Sequence, residues 1–253
     1  QMCIRDSYMG DPMRDLGWIL THSWRFGRDH LPVGGFGEIA DLLSGYESVS
    51  GKPVDPEAVK FWQIFGSFWW AVGCLGMAEH YRNGPDKTVE RPAVGRRSSE
   101  CQVDCVNLLI PGSVVLEQPE TAAAAMPGVD ELLTSVSDFL RDEVMANTQG
   151  RLQFLARVAA NSLDIVQREH ALSAPCLLSE ERRLRDLFNV PDDSSLALDD
   201  LRWRLVHELR DGSMPLDSEL LQTHLRATVV NQIAIDQPRY AGFKTATSEA
   251  NTI

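Results

Sequence analysis

Two arginines lie among aromatic residues early in the chain, in the sequence Trp24-Arg25-Phe26-Gly27-Arg28. A guanidinium group binds phosphate or carboxylate through paired N–H donors, and it also stacks on aromatic rings. We therefore predict that Trp24, Arg25 and Arg28 bind a substrate that carries a phosphate or a carboxylate. The alternative is that both arginines are solvated residues of a loop.

A second set of polar residues occurs in the C-terminal half. Arg157 and Asn161 are one helical turn apart, Arg226 lies in a strongly apolar segment, and Arg239 follows the end of that segment. Together these four residues predict a site for an anion such as phosphate or carboxylate. The favoured alternative is a structural network of arginines and carboxylates that fixes helix ends, because such ion pairs are common in helical domains.

Metal ligands are poorly represented in the sequence. Cys101 and Cys105 have the i, i+4 spacing that places two ligands on one helical face. No second Cys/His pair accompanies them, so we predict buried free thiols and no metal site. A phosphate-binding loop is not predicted either, since the glycine-rich stretch at residues 34–37 follows a helix and is interpreted as a turn.

Helical periodicity of apolar residues and the positions of capping residues predict an all-α chain with no strand. Asp11 and Asp55 are each followed by proline, which is typical of a helix start. The predicted helices cover residues 11–24, 38–49, 55–82, 94–109, 132–140, 152–172, 180–188, 198–209 and 220–235.

Residues 61–78 form an uncharged segment close to the length of a membrane span. Its bulkiest residues recur on one helical face, at Trp62, Phe65, Trp69 and Val72. We therefore predict a buried core helix, to which neighbouring helices approach closely at its glycines, with a transmembrane span as the alternative.

The composition is that of a soluble protein, which we expect in the cytoplasm. The chain has 24 basic and 36 acidic residues and a formal net charge of −12. Nucleic acids and anionic membranes attract basic surfaces, so neither is expected as a partner.

The segment Gly10-Asp-Pro-Met-Arg-Asp-Leu-Gly-Trp18 resembles part of the kinase domains of the aminoglycoside phosphotransferase-like superfamily, in particular those related to kinases fused to acyl-CoA dehydrogenases. The resemblance implies a C-terminal lobe in which Asp15 accepts hydrogen bonds from the backbone of the catalytic loop and Asp11 caps the helix that carries it. It also implies ATP and Mg²⁺ as cofactors of the full-length parent, and a hydroxyl-bearing substrate such as a hydroxyacyl-CoA.

In that family a His-x-Asp catalytic loop and an Asp-Trp-Glu metal-binding segment come just before this motif, and neither occurs in the present sequence. The resemblance therefore implies a fragment without catalytic residues of its own, which binds no cofactor by itself and is inactive alone.

Residues 126–243 resemble a small bacterial helical domain of unknown function, on the segments 150–161, 224–229 and 236–240. Such domains are encoded beside or fused to these phosphotransferases and to acyl-CoA dehydrogenases. The partners implied are an acyl-CoA dehydrogenase or the missing part of the kinase. The alternative function is a non-catalytic helical module that binds such a partner as a scaffold.

The predicted organisation has five parts. Residues 1–7 are similar to a translated sequencing adapter, so we interpret them as an artefact; a genuine short N-terminus is the alternative. Residues 8–110 are the helical remnant of a protein-kinase-like C-terminal lobe, and 111–127, rich in Pro, Gly and Ala, are a linker. Residues 128–244 form a small helical bundle, and 245–253 a disordered tail.

Overall fold

A computed structural model describes residues 10–119 and 128–248. Throughout these residues the regular structure is helical, apart from an isolated β-bridge between Val33 and Gly37. The all-α prediction is therefore confirmed. The predicted adapter segment, residues 120–127 of the predicted linker and residues 249–253 of the predicted tail lie outside the described residues.

The chain divides into two compact units, residues 1–73 and 74–253. The division lies within a single long helix rather than in the proline- and glycine-rich stretch after Leu109. The domain boundaries that the sequence predicts at residues 110 and 127 stay predictions.

The first unit contains α1 (Met13–Leu20), a short 3-10 turn (His22–Trp24), α2 (Ile39–Ser50) and the first part of α3 (Pro56–Asn83). Its core is formed by apolar residues of all three helices and of the loop between α1 and α2. The buried members are Met13, Leu16, Leu20, Val33 and Val59.

Helix ends in this unit follow the capping signals of the sequence. The carboxylate of Asp55 accepts a hydrogen bond from the backbone N–H of Glu57 at 3.0 Å, at the start of α3. Gly51 ends α2 in the left-handed conformation, with φ of 66°. The predicted helix 11–24 is interrupted at Thr21, whose ψ of 129° is not helical.

Helix α3 differs from its predicted orientation. Its small residues Gly66, Ser67, Ala71 and Cys74 are buried, whereas Trp69 and Val72 are each 53% exposed. The prediction of a buried core helix was therefore wrong for Phe65, Trp69 and Val72, whereas Trp62 packs against the core of this unit. The reason is steric, because a Cβ on Gly66 would lie 2.7 Å from the Thr21 hydroxyl, which shows how closely the helix approaches its neighbours on the small-residue side.

The second unit contains the end of α3 and the helices α4 to α10. Their bounds are α4 (Glu90–Arg96), α5 (Ser98–Leu109), α6 (Val129–Asp138), α7 (Gly150–Phe188), α8 (Leu198–Asp211), α9 (Glu219–Asp236) and α10 (Ala241–Thr247), with a π-helical segment (Phe139–Met145) after α6.

Three differences separate these helices from the prediction. The predicted helix 94–109 is split into α4 and α5, and the predicted helices 152–172 and 180–188 are one helix, α7, which continues through Pro175. Helix α10 was not predicted, and it includes residues 245–247 of the predicted disordered tail.

Two apolar clusters stabilise the second unit. One joins α7, α8 and α9 around Leu184, Leu201 and Leu221. The other joins α5, α9 and α10 around Val103 and Ile233, and Val114 and Leu116 of the predicted linker pack against it. Part of that linker is therefore an extended segment packed on a core.

The described part of the chain contains no helix that combines the length and the apolar character of a membrane span.

Candidate functional site

Asp11 caps α1 and connects it to α3. One carboxylate oxygen accepts a hydrogen bond from the backbone N–H of Met13 at 2.9 Å, and the other accepts one from the Trp62 indole N–H at 2.8 Å. The predicted cap is thus present, with Pro12 in helical conformation behind it. The contact with Trp62 was not predicted, because it joins residues far apart in the sequence.

Asp15 lies in the first turn of α1 and is exposed. It borders a cavity of about 220 Å³ together with Trp18, Trp62, Phe65 and Trp69. Within the described residues no hydrogen bond or ion pair involves its carboxylate. An acidic side chain suits the N-terminal turn of a helix, and the oxygens of this carboxylate are available as hydrogen-bond acceptors.

The outer side of α3 in the first unit is an exposed apolar surface, which we call the aromatic face: Phe61, Phe65, Phe68, Trp69 and Val72. Phe61 and Phe68 are each 58% exposed. Trp69 contacts Trp18 of α1 edge to face, with ring centroids 5.6 Å apart. The aromatic face therefore adjoins the helix that carries Asp15.

The predicted substrate-binding residues Trp24, Arg25 and Arg28 do not form one open site. The Trp24 ring packs between Trp18 and Trp70, at centroid distances of 5.1 and 6.0 Å. The Arg25 guanidinium points to the carbonyl oxygens of Leu20 and Asp29, each at 3.4 Å. Arg28 is exposed. Arg25 is thus engaged with the backbone, and Arg28 alone keeps the character of a solvated loop arginine.

Arg226 differs in its surroundings from the other three residues of the predicted anion site. Arg157, Asn161 and Arg239 are exposed, whereas Arg226 is buried and donates hydrogen bonds to the carbonyls of Ile110 (2.6 Å) and Ala246 (3.2 Å). Asn161 borders one cavity and Arg226 borders another. Arg226 has the structural role that the alternative interpretation gave to these arginines, since it fixes the end of α5 and of α10.

Within the described residues, Cys74, Cys101, Cys105 and Cys176 form no disulfide. Cys101 is buried, and burial raises the pKa of Cys105 to about 12, so its thiol stays protonated at neutral pH. Among residues 10–119 and 128–248, no group of three or more His, Cys, Asp or Glu side chains is arranged to hold a metal ion.

A cleft of about 790 Å³ lies in the second unit. Helices α4, α5, α7, α8 and α9 and the end of α3 border it. Its charged residues include Arg96, Glu169, Glu180, Arg183, Arg202 and Asp236. None of these residues was predicted to form a site, because they are dispersed over four helices.

Ion pairs hold most of these charges. Glu180 is bound by the guanidinium of Arg202 through two hydrogen bonds, of 2.8 and 2.6 Å. Arg96 pairs with Glu169 and also lies 3.2 Å from Asp236. Burial raises the pKa of Asp236. These pairs connect α7 with α8, and α4 with α7 and α9.

Comparison with known proteins adds one finding. Residues 146–240 match a family described as a domain of unknown function (DUF6285). This segment contains Glu169, Glu180, Arg183, Arg202 and Asp236 of the cleft. No curated protein and no solved structure matches the chain. Residues 146–240 are therefore similar to a family whose description gives no function.

Proposed function

We propose that this chain is part of the C-terminal lobe of a small-molecule phosphotransferase of the aminoglycoside phosphotransferase-like superfamily, followed by an accessory helical domain. The full-length enzyme phosphorylates a hydroxyl group of its substrate, for which a hydroxyacyl-CoA is the proposed class. ATP and Mg²⁺ are its proposed cofactors. The chain by itself has no phosphotransferase activity.

The observation that carries this proposal is the position of Asp15. Its carboxylate is exposed on a helix whose N-terminus is fixed by Asp11, and the oxygens are available to accept hydrogen bonds. This is what a residue that holds the backbone of a catalytic loop requires. Asp15 is accordingly a positioning residue.

The aromatic face supports the same proposal. Exposed apolar patches on soluble proteins mark surfaces that contact another protein element. The aromatic face adjoins Trp18 on the helix of Asp15, so an element that covers it also comes close to Asp15. The remaining part of a kinase domain would satisfy both features.

The chemistry requires residues beyond those of the chain. Phosphoryl transfer needs a phosphate cradle, a lysine that contacts the phosphates, metal-binding carboxylates and a positioned base. Gly34 and Gly35 are at positive φ in a turn that the β-bridge closes, rather than between a strand and a helix. The proposed nucleotide and metal ligands therefore belong to the missing part of the kinase.

The test begins with the gene. Reading the source DNA upstream of the codon for Gly10 should extend the frame into His-x-Asp and Asp-Trp-Glu segments. In the extended protein, Asp15→Asn should lower kcat at least tenfold with little change in the KM for ATP, whereas Asp41→Asn, an exposed residue of α2, should leave both unchanged. A frame that ends without those segments, or ATP turnover by the present chain alone, contradicts the proposal.

The second candidate function is a non-catalytic binding module that docks an acyl-CoA dehydrogenase or the kinase. It is favoured by the second unit, which is compact in itself and has two apolar clusters of its own. An acyl-CoA dehydrogenase encoded beside this gene should then be retained by the immobilised full chain. Substitution of Trp203, which is 62% exposed on α8, by Ser is the first variant with which to map the contact.

A further inference from the structure

We propose that the cleft of the second unit binds a small molecule that carries a carboxylate or phosphate group, and that Arg183 and Asn231 hold this oxyanion. The inference is independent of the proposed phosphotransferase function, because both residues lie outside the segment that resembles a kinase. It also differs from the anion site predicted from the sequence, which contained neither residue.

Among the described residues, the hydrogen-bond partners of the Arg183 guanidinium are neutral hydroxyl groups. One terminal nitrogen donates to the Ser179 hydroxyl at 2.7 Å and the other to the Thr228 hydroxyl at 3.3 Å. The Nε atom is buried and has no hydrogen-bond acceptor. A partly buried arginine normally binds a carboxylate, so Arg183 has unused capacity for an anion.

The carboxylates around Arg183 do not neutralise it by direct contact. Both oxygens of Glu180 are bound by Arg202. Glu117 interacts with Arg183 electrostatically, but no ion pair joins the two side chains in the described structure. Burial, the largest influence on the group, lowers the pKa of Arg183. A bound oxyanion would compensate this cost of burial.

Asn231 supplies the second donor. It lies one helical turn after Thr228 on α9, is 4% exposed, and borders the same cleft as Arg183. Its side-chain oxygen accepts a hydrogen bond from the backbone N–H of Glu117 at 3.5 Å, while no acceptor is bound to its amide NH₂ group in the described structure. Two donors without acceptors thus border one cleft, a combination that suits an oxyanion.

The cleft also limits the size and character of the ligand. A volume of about 790 Å³ is within the range of small-molecule sites in proteins. Pro92, Leu177 and Ile235 give it apolar walls beside the charged residues. The ligand is therefore a small organic acid or phosphate ester with an apolar part.

The experiment uses the full chain, inorganic phosphate and butyrate as probes, and sodium chloride at the same ionic strength as the reference. Binding is followed by the ¹⁵N–¹H signal of the Arg183 Nε group, identified by its loss in Arg183→Gln, and by the shift in Tm. The matched control is Arg182→Gln, which removes the same charge from the adjacent, exposed position on α7. Wild type and the control should show saturable shifts, and Arg183→Gln should bind at least tenfold more weakly.

The binding results identify the ligand chemistry or reject the site. Saturation by phosphate alone identifies a phosphate group as the ligand chemistry, and saturation by butyrate alone identifies a carboxylate. Signals that do not saturate above the chloride reference, or equal binding by wild type and Arg183→Gln, overturn the proposal. If Arg183→Gln does not fold, Arg183→Lys replaces it. That variant keeps the charge but not the planar donor group, so it should bind several-fold more weakly, and unchanged binding would again reject the site.

Discussion

Arg202 of α8 forms a bidentate ion pair with Glu180 of α7. Its Nε atom and one terminal nitrogen each donate to a different carboxylate oxygen, at 2.8 and 2.6 Å. The carboxylate is nearly buried, with a side-chain exposure of 11%, whereas the arginine is 41% exposed. The Glu180 contact raises the pKa of Arg202. The pair joins two helices at the edge of the cleft, directly beside Arg183.

Removal of Arg202 should destabilise the chain. Arg202→Met leaves the nearly buried carboxylate of Glu180 without its partner, which should lower the free energy of unfolding by about 1–3 kcal/mol. Urea denaturation measures the change. Arg210→Met, at an exposed position of the same helix, should change the free energy of unfolding by less than about 0.5 kcal/mol. The double variant Glu180→Met/Arg202→Met should recover part of the loss, and a loss equal to the sum of both single variants would contradict this account.

Substitution by alanine should have opposite effects on stability at Gly17, where α1 and α3 approach closely, and at Gly45, which has no close neighbour. A Cβ on Gly17 would lie 2.6 Å from the Cβ of Trp62 and 2.7 Å from the backbone nitrogen of Gln63, so Gly17→Ala should destabilise the chain by about 1–3 kcal/mol. Gly45 of α2 has open space around it, so Gly45→Ala should stabilise by about 0.5–1 kcal/mol through helix propensity. Thermal unfolding compares the two, and a tolerated Gly17→Ala would show that the helices are farther apart.

His224 should make stability depend on pH. Burial and the neighbouring Arg183 and Arg202 lower the pKa of His224 to about 4, from 6.5. Between pH 6.5 and pH 4, His224 is therefore protonated in the unfolded chain but neutral in the folded chain. Its contribution to the free energy of unfolding is complete above pH 6.5 and is lost as the pH falls towards 4.

His224→Gln should remove this dependence. The free energy of unfolding of wild type should fall between pH 7 and pH 5 relative to that of the variant, by an amount on the order of 2 kcal/mol. The pKa of Asp236 is raised, so this residue contributes stability that is lost as the pH rises. The quantity to measure is therefore the difference in free energy of unfolding between wild type and His224→Gln at each pH. His170→Gln, at an exposed site on α7, should keep the wild-type slope.

The aromatic face should promote self-association of the isolated chain. Phe61→Ser/Phe68→Ser removes two exposed rings, so it should reduce the aggregated fraction in size-exclusion chromatography and change the free energy of unfolding by less than about 1 kcal/mol. Val49 is 90% exposed, and Val49→Ser is the control that should not alter aggregation. Equal aggregation of both variants would mean that another surface is responsible.

Much of the fold could be predicted because its signals are local. Asp11, Asp55 and Gly51 are caps whose residue types and neighbours specify a helix start or end, and the structure has each of them in that role. The continuity of α7 through Pro175 could not be predicted in this way. Contacts with α6, α8 and α9 stabilise the helix on both sides of the proline, and these contacts are not visible in a single segment.

The candidate site was harder to predict for the same reason. Asp11 and Asp15 belong to one short motif, whereas Arg183 and Asn231 border one cleft only because α7 and α9 pack together. The burial of the aromatic face of α3 was predicted wrongly. Hydrophobic periodicity indicates which residues share a helix face, but it does not show whether another element covers that face.

Pro175 has a mechanical consequence for the cleft. Proline has no N–H group, so the carbonyl of Ala171 has no helical hydrogen bond there, and α7 is most easily bent at that turn. Glu169 and Ser173 border the cleft before the proline, while Glu180 and Arg183 border it beyond. A change in the bend of α7 at Pro175 would therefore move Glu169 and Ser173 relative to Glu180 and Arg183, and a ligand that contacts residues on both sides of the proline would restrict this bending.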